Sequence, residues 1–173
     1  MSGALPEYLD LTRTGFEPVM LSGRMELAAL PRLAEAVAAP GGEAAVELRA
    51  FHDGGHTLIR GRVQAMLILA CQRCFGNMEF PVAADFKLAW VRCEKDVASL
   101  PEAYEPLVSA SGRVKPAEIV EDELLLALPM AALHESSREC GESMRRGLPR
   151  HKSEGIHAVR VKPFAALKAL KRR

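Results

Sequence analysis

No run of apolar residues in this chain is long enough to cross a bilayer. The longest nearly apolar stretch, Leu124–Leu133, is interrupted by Pro129, whereas a spanning helix needs about 20 residues. The first residues, MSGALPEYLD, lack the basic-then-apolar pattern of a signal peptide, so the expectation is a cytoplasmic protein with no membrane partner. Cysteine is sparse, with four in 173 residues. In a reducing compartment four thiols argue against structural disulfides and leave metal binding, redox work or burial. Internal repeats and low-complexity tracts are also missing, which sets aside solenoids and arrays. The length suits a single domain with room for a core.

Net charge is nearly absent as well, at +1, but the balance is uneven along the chain. Residues 1–137 hold 12 Lys+Arg and 19 Asp+Glu, giving −7; residues 138–173 hold 11 and 3, giving +8. An acidic body followed by a basic tail points to a polyanionic partner, or to a tail that folds back on the body.

Period-two hydrophobicity dominates the middle of the chain. A strand is expected around Val19–Met25, and a short helix over Pro31–Ala38, started by proline and stopped by APGG. In Ala45–Phe51, Val46, Leu48 and Ala50 alternate with Glu47 and Arg49, and DGG at 53–55 reads as a hairpin turn. Odd positions are apolar or small from Ile59 to Cys71, and even positions are apolar from Met78 to Trp90. These patterns predict half-buried antiparallel strands. Phe80, Phe86 and Trp90 fall on the core side, which removes the obvious base-stacking platform, and no standard RNA-binding signature is present.

The segment 96–117 reads as loop with one strand near Tyr104–Val108. AEIVEDELLLALP then reads as a helix of about ten residues ending before Pro129. Its carboxylates Glu118, Glu121, Asp122 and Glu123 suit the positive end of a helix dipole better than acid–base chemistry, since no nucleophile or substrate motif accompanies them. The fold class expected is α+β: an antiparallel β-meander packed with a few short helices over residues 1–143. Residues 144–173 are expected to form a basic flexible tail, with a short C-terminal docking helix in which Phe164, Leu167 and Leu170 share a face.

The chemistry sits in ILACQRCFGN, residues 68–77. A redox C-x-x-C lies at a helix N-terminus, which activates the first thiol. Here Cys71 ends a strand, Gly76-Asn77 looks like a turn and a strand follows, so only Arg73 is at hand to favour a thiolate. A strand–turn–strand knuckle instead aims two sulfurs at one point, as half of a zinc site. Cys93, His134 and Cys140 are the candidates for the other half. Of these, Cys93 continues from a strand and reads as a buried thiol.

CQRCFGNMEF, LPEAYEPL, IVEDELLLALPM, ALHESSREC and the closing PFAALKALKRR occur in an order that closely resembles the YceD family, large ribosomal RNA subunit accumulation proteins. The resemblance runs from about Leu58 to the C-terminus. It implies a non-enzymatic ribosome-biogenesis factor supporting synthesis, processing or stability of 23S rRNA, without a small-molecule substrate. Its partner would be 23S rRNA or a large-subunit precursor, met directly or through a ribosomal protein or assembly factor. By the same resemblance Cys71, Cys74, His134 and Cys140 form one metal cluster, a structural Zn2+ site. If RNA is touched directly, the phosphate contacts expected are Arg145, Arg146, Arg150, Lys152, Arg160, Lys162, Lys168, Lys171, Arg172 and Arg173. Two other functions stand beside this one: a thiol–disulfide oxidoreductase using Cys71 and Cys74, and a protein-docking module acting through Phe164, Leu167 and Leu170.

Overall fold

The computed structural model describes residues 3–14 and 17–140. The expected boundary at 143/144, the tail, its basic residues and the helix around Phe164, Leu167 and Leu170 all lie outside the described residues.

Among the described residues eight strands and two α-helices follow in chain order, with short 3-10 turns between some of them: β1 (Gly3–Ala4), β2 (Leu9–Asp10), β3 (Val19–Glu26), α1 (Pro31–Ala36), β4 (Glu43–Asp53), β5 (His56–Ala70), β6 (Asn77–Val91), β7 (Glu105–Val108), β8 (Arg113–Val114) and α2 (Pro116–Leu126). Six of the strands form one sheet in the order β1-β3-β4-β5-β6-β7, and β2 and β8 pair as a small ribbon. The central β3-β4-β5-β6 meander is antiparallel, as its alternation predicts. Both edge strands instead run parallel to their neighbours. The first 25 residues therefore contribute two short strands besides β3, and the 96–117 segment supplies β7 and β8 within its loops. Helix α1 stops two residues short of Ala38, whose N–H bonds to the Ile68 carbonyl.

Register is set by the β4–β5 turn. Gly54 and Gly55 both have positive φ, and Asp53 pairs with His56, the two-residue hairpin for which glycine is favoured because a Cβ opposes such dihedrals. One face then gathers Val46, Leu48, Ile59, Val63, Leu67 and Phe86, covered by Leu33 of α1 and Ile119, Val120 and Leu124 of α2. Gly61 lies beneath the Phe86 ring. A Cβ there would collide with that ring and meet Leu48 Cδ2 at 2.7 Å, so only glycine lets the ring lie flat on the strand.

Glu121, 4% exposed, fixes the helical layer. Its Oε1 accepts from the backbone N–H groups of Arg32 and Leu33 at 2.7 and 3.1 Å, and its Oε2 accepts from Arg32 Nε at 2.9 Å. The N-cap residue of α1, Leu30, offers no side-chain cap. The carboxylate expected to serve its own helix dipole thus caps the neighbouring helix, satisfying donors that a helix start leaves without partners. Among the described residues no helix is long and apolar enough to cross a membrane.

Candidate metal centre

The β5–β6 connection is a knuckle. Cys71 N–H bonds to the Gly76 carbonyl at 2.9 Å, and Phe75 N–H returns to the Cys71 carbonyl at 2.7 Å. Phe75 takes φ +59, a left-handed conformation that costs a β-carbon-bearing residue roughly 1–2 kcal/mol, and its ring is 82% exposed. That turn brings the Cys71 and Cys74 sulfurs to the same side.

The second half arrives after α2. Gln72 N–H holds the Ala132 carbonyl at 2.8 Å, which lays the following segment against the knuckle. The ligand atoms of Cys71, Cys74, His134 and Cys140 then all lie within 4.8 Å of one another, close enough to hold a metal ion. His134 Nδ1 is 3.6 Å from the sulfurs of both Cys74 and Cys140. Cys71 and Cys140 are buried, while Cys74 and His134 are half-buried. Arg73 spans the two halves: Nε donates to Cys140 Sγ at 3.1 Å, and its terminal nitrogen donates to the His134 carbonyl at 3.0 Å.

Electrostatics divide the thiols. Burial pushes Cys71 up, but hydrogen bonds from the backbone of His134, Arg73 and Cys74, and from the His134 side chain, outweigh it and bring the thiol down to about 5. At Cys74 the Gly76 backbone pulls down, while burial and the neighbouring Cys140 and Cys71 together push the thiol up. Thiols crowded around one point repel as thiolates, and a bound cation relieves that repulsion. The same arrangement suits redox chemistry poorly. The thiol made acidic, Cys71, is sealed from solvent, and the motif leads into β6 rather than a helix.

Cys93 corrects the expectation of a buried thiol. It is exposed, stands outside the cluster, and directs its sulfur to Asp96 Oδ2 at 3.3 Å. Strand β6 ends at Val91, so the alternation that suggested burial no longer holds two residues later. The charged side of the sheet also holds a feature the alternation alone did not disclose. Arg49 of β4, Arg60 of β5 and Lys87 of β6 stand directly opposite one another, because the glycine turn and the knuckle set the registers of both hairpins. The turn residues give the signal for the first pairing: a two-residue turn at 54–55 puts 49 opposite 60.

A family model described as large ribosomal RNA subunit accumulation protein YceD matches residues 59–171. Among curated proteins, the Haemophilus influenzae large ribosomal RNA subunit accumulation protein YceD is 34% identical over 146 residues, covering 83% of this chain and 83% of the relative. No solved structure matches the chain.

Proposed function

The chain belongs to the YceD family, and from that premise we propose that it supports the synthesis, processing or stability of 23S rRNA in the cytoplasm as a non-enzymatic assembly factor. The observation that carries the reading is the family match over residues 59–171, which spans both halves of the Cys/His cluster. The family's name describes accumulation of an RNA rather than a reaction. The described site offers a closed set of metal ligands rather than a nucleophile facing a substrate cleft.

The metal we propose is zinc, in a structural role. With Zn–S near 2.3 Å and Zn–N near 2.0–2.1 Å at tetrahedral angles, a sulfur and a nitrogen on one ion stand about 3.6 Å apart. The two Sγ–Nδ1 separations here are both 3.6 Å. Four ligands complete a tetrahedron and leave no open position, which marks structural rather than catalytic sites. When bound, the ion would supply charge neutralisation and a crosslink between the knuckle and the chain after α2. Three thiolates around a dication leave one negative charge, and Arg73 supplies the matching positive charge through its bond to Cys140.

The basic residues from Arg145 to Arg173 are proposed as phosphate contacts, acting on rRNA itself or alongside a ribosomal protein or assembly factor. Deleting the gene tests the function. The expected outcome is a lowered ratio of 23S to 16S rRNA, restored by the full-length chain and restored poorly by a chain ending at residue 143. An unchanged ratio on deletion rules the reading out.

A further inference from the structure

Across the outward side of the sheet, side chains stand in rows fixed by register. One row reads Ser22, Glu47, Arg62, Asp85. Its signs alternate, and Arg62 closes on Asp85 through two bonds of 2.6 and 2.8 Å. The adjacent row reads Met20, Arg49, Arg60, Lys87. There three cations face one another on three central strands, all exposed. Among the described residues none of the three has a carboxylate within ion-pair distance; the pairs on this face are Arg24–Glu43 and Arg62–Asp85. Like charges directly opposite on a sheet repel, and no carboxylate of the described residues offsets that repulsion.

The row is also held in shape. Arg49 and Arg60 both lie 5.3 Å from the centre of the Phe51 ring, and Arg60 donates to the Tyr104 hydroxyl at 2.9 and 2.6 Å. These contacts orient two guanidinium groups while leaving both charges uncompensated. Beside them runs an open groove of about 550 Å³ lined by Met20, Ser22, Glu47, Arg49, Arg60 and Arg62.

We infer that Arg49, Arg60 and Lys87 form a docking row for the phosphates of an RNA strand laid across β4, β5 and β6. Three strands span roughly 10 Å at 4.7–4.9 Å per step. A nucleic-acid strand presents a phosphate about every 3.4 Å of helix axis, so a row of this span reaches about three. Planar guanidinium groups match phosphate oxygens in pairs, and the terminal lysine adds a point charge. The choice of RNA rests on the proposed function. The site lies wholly within strands β4, β5 and β6 of the described body.

The test uses the full-length protein with labelled poly(U), a 23S rRNA transcript and, as competitor, polyglutamate. The triple variant Arg49→Gln, Arg60→Gln, Lys87→Gln should keep the wild-type fold by circular dichroism, because the repulsion it relieves offsets the Phe51 and Tyr104 contacts it loses. Its log K against log salt should be shallower by about 2, three contacts at about 0.7 each. Wild-type affinity for poly(U) should therefore fall about 20-fold more than the variant's between about 50 and 200 mM salt. Glu47→Gln, which removes a carboxylate of the adjacent row, should tighten binding. Equal affinity and slope for wild type and triple variant would overturn the docking row while leaving the proposed function intact. Absence of any RNA binding at low salt overturns it too, and the 23S ratio then judges the function by itself. Polyglutamate competing as well as RNA would replace the RNA strand with an acidic protein segment.

Discussion

Replacing Glu121 by alanine isolates the tie between the two helices. The substitution removes the acceptor for two N–H groups of α1 and for Arg32 Nε. The Leu33 bond is buried, and leaving such a donor without a partner costs about 1–3 kcal/mol. The Arg32 N–H is partly buried and adds about 1 kcal/mol, within the range for loss of a helix cap. The Arg32 side chain contributes little. It is 53% exposed and keeps Asp122 Oδ1 at 2.7 Å, so its pairing with Glu121 is worth less than about 1 kcal/mol. The sum is near 3 kcal/mol, which for a domain of this size lowers the melting temperature by about 10 °C. Urea and thermal unfolding followed by circular dichroism measure it. Glu121→Gln keeps one carbonyl oxygen for the two N–H groups and should lose only about 1 kcal/mol. An alanine variant within 1 kcal/mol of wild type, or a glutamine variant as weak as alanine, would refute the cap.

Two further outcomes follow from the core and the knuckle. Gly61→Ala should destabilise the domain by about 1–3 kcal/mol, because its Cβ collides with the Phe86 ring and meets Leu48 Cδ2 at 2.7 Å, both side chains being buried; an unchanged urea midpoint would show that the ring shifts freely. Protein purified without chelator should carry one zinc per chain by elemental analysis. Cys74→Ser should lose it and Cys93→Ser should keep it, since only Cys74 belongs to the cluster. Zinc missing from the wild type, or lost equally from both variants, rules out the four-residue site.

Sequence made the central sheet legible because both hairpin strands alternate over long stretches. Period two survives wherever one face is buried and the other meets water. The DGG turn carried register as well as position, since two positive-φ glycines admit only a two-residue loop between Asp53 and His56. The parallel edges were not legible. Strands β1 and β7 have two and four residues, too few for a period, and their direction depends on how distant loops return. Cys93 was misread for a related reason: alternation predicts burial only while the strand lasts. His134 and Cys140 were candidates on residue type and on the family resemblance, not on any ligand spacing. Their meeting with Cys71 and Cys74 depends on the Gln72–Ala132 backbone bond and on Arg73, neither of which any spacing encodes. The cap by Glu121 crosses 89 residues to Arg32 and leaves no local trace.

The two chemical features sit at opposite ends of one hairpin, and this separation bears on what each can do. Arg60 lies near the start of β5 and Cys71 one residue past its end, roughly 36 Å away at about 3.3 Å per residue. A zinc ion at the knuckle therefore cannot reach a phosphate held at the Arg49–Arg60–Lys87 row, and at that distance its charge is screened by physiological salt. What it can do is local. It would fix the β5–β6 turn and anchor the chain at Cys140, the residue from which the basic segment 141–173 continues. The proposed structural metal and the proposed RNA contact are then separable, and variants of the knuckle and of the row test them independently. The register of three central strands alone brings Arg49, Arg60 and Lys87 into one row, whatever the knuckle holds.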